Sequence, residues 1–270
     1  MKTLVLANQK GGVGKSAVAT LIAQYLVKTG QRVLAIDLDH QGNFSGPIIR
    51  SKRACVAEVT SDRLLTTASF EMPNEPFVLV PSGEPLMTLE RQPALHTPFA
   101  RSLRAFLKTV DDRFDVCVID THPNPDIRMI SALASADFVL SPIQLNQEAI
   151  EGVAALVAHT RVGVHKIKTL LNPKLELIGL LPTQVETTPF QRDNFRGLIE
   201  RYLHLMIRIG ADGKKLASIP KRSAIAEAQA DGLLLWEMKK TAARDAWVEI
   251  EPTMKHLAGI VTASEPLHAL

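Results

Sequence analysis

Three glycines, a lysine and a serine stand together near the start of the chain, in the order Gly11-Gly12-Val13-Gly14-Lys15-Ser16. Glycines allow successive backbone N–H groups to turn inward onto phosphate oxygens, at the positive end of a helix dipole. The lysine supplies a cation for terminal phosphates, and the serine hydroxyl is suited to Mg²⁺. Gln9 stands where the general P-loop pattern has a glycine, so only the variant with a lysine at position 10 is matched. We predict a phosphate-binding loop made of Lys10, Gly11, Gly12, Val13, Gly14, Lys15, Ser16 and Ala17.

Carboxylates follow two later apolar segments. Asp37 and Asp39 come at the end of segment 32–37, and residues two apart at a strand end point the same way. Asp120 follows the apolar segment 116–119, which is the Walker B arrangement of a carboxylate that holds Mg²⁺ through water. A lone aspartate at a strand end more often caps a helix, so this prediction depends on the phosphate loop as well. Together these residues predict a magnesium site that includes Ser16 and Asp120.

The elements around these motifs alternate between apolar strands and amphipathic helices. Residues 3–7 predict a buried strand, residues 18–26 repeat apolar side chains at helical spacing, and Gly30 ends that helix. With strand 32–37 they form a βαβ unit, which requires parallel strands. We predict further strands at 77–80, 116–119, 138–140, 175–181 and 216–219, and helices at 99–110, 147–157 and 190–206.

These elements predict an α/β fold with a doubly wound, mostly parallel β-sheet flanked by helices. Its functional loops are expected at the carboxyl ends of the strands, and residues 1–270 are expected to form a single domain. Residues 42–75 show no pattern that we can organise, and residues 81–98 predict an ordered excursion.

Composition excludes several classes of protein. The chain is 46% hydrophobic and 22% charged, unlike collagen-like, coiled-coil or disordered proteins. Only 5% is aromatic, which argues against stacking platforms for single strands. Its two cysteines, Cys55 and Cys117, form no disulfide framework, and no segment reaches the roughly 18 apolar residues of a membrane span. We therefore expect a cytoplasmic protein, and the net charge of +3 permits a polyanionic partner.

The run Asn8-Gln9-Lys10-Gly11-Gly12-Val13-Gly14-Lys15-Ser16 resembles the deviant Walker A motif of the ParA/MinD family of P-loop ATPases. Residues 37–43 resemble the family's D-x-D-P-Q-G-N pattern, and residues 120–123 resemble its D-T-P-P pattern. Similarity continues at 132–137, 177–183 and 219–232, but not at 44–75. The resemblance implies the P-loop NTPase fold, ATP and Mg²⁺ as cofactors, and hydrolysis of ATP to ADP and phosphate.

The resemblance also implies roles for individual residues. Lys10 would reach the partner's phosphates across a nucleotide-sandwich homodimer, much as an arginine finger does. Lys15 would stabilise the developing charge and Asp39 would orient the attacking water. Asp37 would support the Mg²⁺ shell, and the adenine would lie near Pro182, Gln184 and Pro220.

Three positions depart from the family pattern. His40 replaces a proline, and His122 replaces another proline beside the expected γ-phosphate. We interpret His40 as a surface histidine and assign His122 no role. Ala17 lacks the hydroxyl that the family places on the α-phosphate, which removes about 0.5–1.5 kcal/mol of binding without abolishing it.

Subclasses of the family differ in what they bind. The tail 256–266 lacks the basic face of a MinD-like membrane helix, so we expect no membrane binding. Neither cysteine is placed as in the reductases that share an iron–sulfur cluster. The remaining subclass segregates DNA, and basic residues gather in the region where it binds non-specific double-stranded DNA. The candidates are Lys214, Lys215, Lys221, Arg222, Lys239, Lys240 and Arg244.

The sequence therefore predicts a ParA-like partition ATPase that dimerises with ATP and coats DNA on the nucleoid. A ParB-like centromere-binding partner would stimulate hydrolysis and release. The chain begins directly at its first strand, so we expect no helix-turn-helix extension and no sequence-specific DNA binding. Alternatives remain: a relative that positions a protein complex on the nucleoid, a MinD-like membrane-associated ATPase, or a nucleotide-binding module without useful turnover.

Overall fold

The computed structural model describes residues 1–67, 70–210 and 212–263, and seven parallel strands form its central sheet. The strands are β1 (Lys2–Leu6), β2 (Val33–Leu38), β3 (Cys55–Val56), β4 (Phe77–Val80), β5 (Val116–Thr121), β6 (Phe138–Gln144) and β7 (Glu176–Thr183). Their order is β3-β4-β2-β5-β1-β6-β7. The chain leaves the central strand β1 toward one edge first and returns to the other edge later, so the prediction of a doubly wound sheet is confirmed.

Helices cover both faces of this sheet. They are α1 (Lys15–Lys28), α2 (Ser45–Ser51), α3 (Ser61–Thr66), α4 (His96–Thr109), α5 (Ile127–Ser135), α6 (Ala149–Ala158), α7 (Val164–Leu170), α8 (Pro189–Tyr202), α9 (Ser223–Asp231) and α10 (Thr241–Thr262). A two-stranded antiparallel hairpin, β8 (Arg208–Ile209) with β9 (Lys215–Leu216), lies outside the sheet.

The sheet is buried on both faces, because its strands consist of consecutive apolar residues rather than alternating ones. Leu34, Ile36 and Ile119 point into one apolar core with α3, α4 and α5. Leu4, Val33 and Val118 point into the other core, with α1 and α10. Both cores are needed to hold the central strands, and therefore the loops that leave them, in place.

Three sequence predictions differ from the structure. The predicted strand 216–219 is correct only at Leu216, because the following residues run alongside β7 through single hydrogen bonds (Ile219 N to Pro182 O, 2.8 Å) rather than a ladder. The predicted helix 190–206 ends at Tyr202 and continues as one 3₁₀ turn, Leu203–Leu205. Residues 42–75 contain α2, β3 and α3, which are too short for a periodic pattern to identify.

The predicted excursion 81–98 is ordered as two 3₁₀ segments, Glu84–Arg91 and Pro93–Leu95, before α4 begins. At the C-terminus, α10 extends to Thr262, and residues 264–270 lie outside the described part of the chain. Among the described helices, none combines the length and apolar character required to cross a bilayer.

Candidate functional site

The phosphate loop connects β1 to α1 at the carboxyl edge of the sheet. Gly12 has φ +74° and Gly14, which caps α1, has φ +83°, a left-handed conformation that side chains rarely adopt. A Cβ at Gly14 would lie 3.6 Å from Thr183 of β7, an ordinary van der Waals distance, so the backbone conformation is what favours glycine there. The sequence places glycine at these two positions because the turn into the helix requires it.

Side chains at the ends of neighbouring strands hold this loop in place through hydrogen bonds. Buried Asn8 donates to Pro142 O (2.8 Å), and its Oδ1 accepts the N–H of Lys10 (2.8 Å). The amides of Gln144 and Gln184, at the ends of β6 and β7, both donate to Gly12 O (3.1 and 2.9 Å). The loop therefore has a fixed shape before any ligand arrives, which reduces the entropy lost on binding.

The two lysines of the loop have different environments. Lys15 is buried and its Nζ donates to Lys10 O (3.0 Å), so its ammonium is held inside the loop. Burial lowers the pKa of Lys15, although the charges of Asp120 and Asp39 act in the opposite direction. Lys10 instead forms an ion pair with Glu148, the residue before α6.

Ser16 and Asp120 meet at the start of α1, as the sequence predicts. Ser16 Oγ donates to Asp120 Oδ2 (2.6 Å), while Asp120 Oδ1 is buried without a hydrogen-bond partner among the described residues. Burial and the neighbouring Asp37 raise the pKa of Asp120 well above its usual value. A buried carboxylate oxygen with no donor is a site for a cation or its water, since leaving it unsatisfied costs free energy.

Asp37 and Asp39 lie in different environments, although they are only two residues apart in the sequence. Both oxygens of buried Asp37 accept hydrogen bonds within the protein, from Asp39 N (3.0 Å), Ser45 N (2.8 Å) and Ser45 Oγ (2.7 Å). Burial raises its pKa to about 6, and the bonds from Ser45 oppose that shift. Asp39 faces the phosphate loop across a cavity. Asp37 therefore shapes the turn that presents Asp39, and contact with a metal shell would require it to give up these bonds.

Two adjoining cavities extend from the loop. The first, of about 670 Å³, is lined by the loop glycines, Lys15, Ser16 and Asp39. The second, of about 400 Å³, has mainly apolar walls that include Val18, Leu21 and Ile225. Both cavities share Gly14, Ala17 and Gln229. The pair thus offers a polar, cationic compartment beside an apolar one.

The predicted adenine contacts are divided by the structure. Gln184 and Pro220 line the apolar cavity. Pro182 lines neither cavity, because it is buried in β7 and its carbonyl accepts the N–H of Ile219. The contact of Pro182 with the base stays a prediction.

Arg50 and Gln229 line the polar cavity, and sequence reasoning missed both. Arg50 Nη2 donates to Gln229 O (2.9 Å), and Gln229 Nε2 donates to Ala17 O (3.2 Å). These bonds connect α2, α9 and α1 around the cavity. No sequence signal identifies Arg50, since it belongs to the segment without a recognisable pattern.

The seven basic candidates for DNA contact lie between the end of β8 and the first turn of α10. Four are paired with carboxylates: Lys214 with Asp212, Lys221 with Glu186, Arg222 with Glu249, and Lys240 with Glu227. Lys215, Lys239 and Arg244 are exposed and form no ion pair among the described residues. Four of the seven candidates therefore have a carboxylate partner, and three have none among the described residues.

Comparison with known proteins places this geometry in context. Residues 1–177 match the family model described as an AAA domain. The chain is 35% identical to protein IncC of Escherichia coli over 260 residues, which covers 93% of this chain and 67% of IncC. It is 35% identical to the chromosome-partitioning ATPase Soj of Thermus thermophilus over 189 residues, 69% of this chain and 70% of Soj.

Among solved structures, the complex of a Cyanothece McdA variant with ATP has the same fold. Its TM-score is 0.73 at 21% identity, and the match covers 99% of this chain and 98% of McdA. The expected P-loop NTPase fold is thereby confirmed.

Proposed function

Since this chain belongs to the ParA-type partition ATPase family, in which Soj is a chromosome-partitioning ATPase, we propose that it binds and hydrolyses ATP with Mg²⁺. The observation that carries this proposal is the shared wall of the two cavities. Gly14 and Ala17 border both the compartment of the phosphate loop and the apolar compartment. A triphosphate on the loop therefore has its base within reach of apolar walls, which is the division of polarity in ATP.

The residues around Ser16 fit a magnesium ion. Ser16 Oγ and the unpartnered Asp120 Oδ1 are oxygen ligands of the kind that Mg²⁺ accepts, directly or through its waters. A bound Mg²⁺ neutralises charge on the phosphates and compensates the buried Asp120 carboxylate. We propose that Ser16 and Asp120 hold it, with Asp37 acting from behind by fixing the turn.

Hydrolysis is assigned to three residues of the loop region. Lys15, already inside the loop, places its charge on the terminal phosphates and stabilises the transition state. Asp39, on the opposite wall of the cavity, positions the attacking water and accepts its proton. Lys10 is proposed to exchange Glu148 for the phosphates in a second subunit, so that hydrolysis requires a homodimer.

The nucleotide would control binding to DNA. In the proposed cycle, the ATP-bound homodimer binds non-specific double-stranded DNA, and a ParB-like partner stimulates hydrolysis and release during DNA segregation. The cationic residues near α10 support the proposal that the protein binds DNA, because phosphate contacts without base contacts are sufficient for non-specific binding. Association with the nucleoid in the cytoplasm follows from that proposal.

Asp39→Ala tests the catalytic assignment. We expect ATP affinity within about threefold of the parent chain, and turnover at least about 100-fold slower, because a positioned general base contributes about 10²–10⁴-fold. The measurements are binding of a fluorescent ATP analogue and release of phosphate in the presence of double-stranded DNA. The trapped ATP form should also remain dimeric in size-exclusion chromatography.

Asp193→Ala, which removes an exposed carboxylate from α8, is the matched control and should change neither quantity. Normal turnover in Asp39→Ala would overturn the assignment of Asp39 as the residue that positions the water. If the parent protein does not bind ATP, the proposed function itself is wrong.

A further inference from the structure

The two histidines that replace prolines of the family pattern lie against each other in the structure. His40 follows Asp39 after β2, and His122 follows β5, yet their ring centroids are 5.0 Å apart with an interplanar angle of 34°. β2 and β5 are neighbouring parallel strands, and their register pairs Leu38 with Thr121. The two substitutions thus occur at adjacent strand ends and face the same space.

Asp39 completes a group of three possible metal ligands. One ligand atom from each of Asp39, His40 and His122 lies within 4.8 Å of the others, and Asp39 Oδ1 is 3.6 Å from His40 Nδ1. Tetrahedral zinc with bonds of about 2.0–2.2 Å needs ligand atoms about 3.3 Å apart. Asp39 and His40 are therefore close to that spacing, and His122 lies within 4.8 Å of both.

Surrounding contacts orient both rings. The N–H of Asn124 donates to His122 Nδ1 (3.1 Å), so the proton of the neutral ring is on Nε2 and the lone pair open to a metal is on Nδ1. A metal bound there replaces the bond from Asn124. Arg128 Nη1 donates to His40 Nδ1 (3.2 Å), and Arg128 is itself paired with the buried Asp126. A metal bound through His40 Nδ1 replaces the bond from Arg128, and the guanidinium remains compensated by Asp126.

The ligand chemistry distinguishes this group from the proposed magnesium site. Mg²⁺ prefers oxygen ligands, and Ser16 with Asp120 offers oxygen only. Two imidazoles and one carboxylate suit Zn²⁺, Co²⁺ or Ni²⁺, with one position open for water. The two sites therefore differ in the ions they select.

We propose that Asp39, His40 and His122 form a second metal site, which binds a divalent transition metal of the zinc class. The consequence for activity depends on the proposed function of Asp39. An ion bound to its carboxylate prevents Asp39 from positioning the attacking water, while the phosphate loop stays free. Zinc-class ions then inhibit ATP turnover and leave ATP binding intact.

Metal binding is tested directly on the nucleotide-free protein, purified without a polyhistidine tag and stripped with a chelator. Titration with Co²⁺ should give visible d–d absorption bands, and calorimetry with Zn²⁺ should show one ion bound per chain. His40→Asn and His122→Asn should each weaken Zn²⁺ binding at least tenfold, because even a second-shell partner contributes about 10–100-fold. His165→Asn, at an exposed histidine of α7, is the matched control and should retain the parent affinity.

Equal Zn²⁺ affinity in all three variants and the parent would overturn the site. ATP binding is measured separately, with a fluorescent analogue and Mg²⁺, at Zn²⁺ concentrations that fill the site. If Zn²⁺ binds through the histidines yet turnover is unchanged, the inhibitory consequence is wrong while the site stands. If ATP does not bind even without Zn²⁺, the proposed function fails independently of the metal site.

Discussion

The buried carboxylates Asp37 and Asp120 lie side by side at the centre of the candidate site. Asp120 is fully buried, one of its oxygens has no partner among the described residues, and its register partner on β2 is Asp37. Two neighbouring carboxylates in a poorly hydrated environment disfavour ionisation of both. The proximity of Asp37 and Asp120 therefore lowers the stability of the folded protein, as is common at functional sites.

A pH dependence of stability follows from these residues. The folded pKa of Asp37 is raised from 3.8 to about 6 and that of Asp120 is raised well above 3.8, so the folded chain holds protons that the unfolded chain releases. Stability of the nucleotide-free protein should therefore fall as pH rises from about 4 through 6 and beyond. Asp120→Asn removes one of these ionisations. We expect it to melt at a higher temperature than the parent at pH 8, and to show a shallower decrease of melting temperature between pH 5 and 8.

Thermal unfolding in EDTA measures both quantities. Asp115→Asn serves as the control, because the ion pair with Arg32 lowers the pKa of Asp115 and its stabilising effect is already complete above pH 5. That variant should shift the curve without changing its slope above pH 5. A parent chain that becomes more stable from pH 5 to 8 would contradict the prediction.

Sequence patterns identify the residues that line the candidate site better than the residues that donate hydrogen bonds to them. That Ser16 and Asp120 lie together could be predicted because strand ends in a parallel sheet meet at one edge. The hydrogen bonds of Asp37 could not be predicted, since spacing gives the direction of a side chain but not its partners, and Ser45 of α2 donates to it. Gln144 donates to Gly12 O because β6 packs beside the loop. The residues next to Gln144 in the sequence give no indication of this hydrogen bond.

At the scale of elements, short helices close the site and long strands support it. The strands and the longer helices could be predicted because their apolar patterns extend over enough residues to be recognised. α2 has seven residues and α3 has six, so neither repeats a pattern, and their positions depend on contacts with distant parts of the chain. The contact of α2 with α9 matters most, because Arg50 and Gln229 at that contact line the polar cavity.

Gly232→Ala tests this contact. Gly232 ends α9 with φ +67°, and a Cβ there would lie 2.5 Å from the backbone carbon of Arg50 and 2.6 Å from Ser51 N. The left-handed conformation costs about 1–2 kcal/mol for a side chain, and overpacking adds about 1–3 kcal/mol. We expect the free energy of unfolding to fall by about 2–5 kcal/mol in urea titrations, with weaker ATP binding because α9 moves away from α2.

Gly259→Ala is the matched control for that experiment. Gly259 lies exposed within α10, and its added Cβ meets no heavy atom within 4 Å. The same substitution should there stabilise the protein by about 0.5–1 kcal/mol, since alanine is the better helix former. Equal effects of the two substitutions would mean that the contact between α2 and α9 has no structural importance.

At the scale of the whole molecule, the net charge of +3 is small, so the arrangement of cations decides how the protein meets a polyanion. Several of the basic residues that the sequence predicts to contact DNA are paired with carboxylates. Lys221 and Arg222 are paired with Glu186 and Glu249, and they also line the apolar cavity. Lys239 and Arg244, at the start of α10, form no ion pair among the described residues. The free cations are therefore the better candidates for phosphate contact.

The dependence of DNA binding on salt distinguishes these two pairs. Each phosphate contact contributes about 0.9 to the slope of log affinity against log salt, so Lys239→Gln with Arg244→Gln should flatten that slope by about 1.8 per protomer. Lys221→Gln with Arg222→Gln should flatten it less, because carboxylates already hold those cations. Lys166→Gln with Lys168→Gln on α7 removes the same charge elsewhere and should leave the slope unchanged. The measurement is fluorescence anisotropy of a random-sequence duplex with a non-hydrolysable ATP analogue between about 50 and 200 mM salt, a range over which several phosphate contacts change affinity by orders of magnitude. Equal slopes for all three double variants would show that DNA does not contact the start of α10, whereas a flattening confined to Lys239 and Arg244 would place the phosphate backbone there.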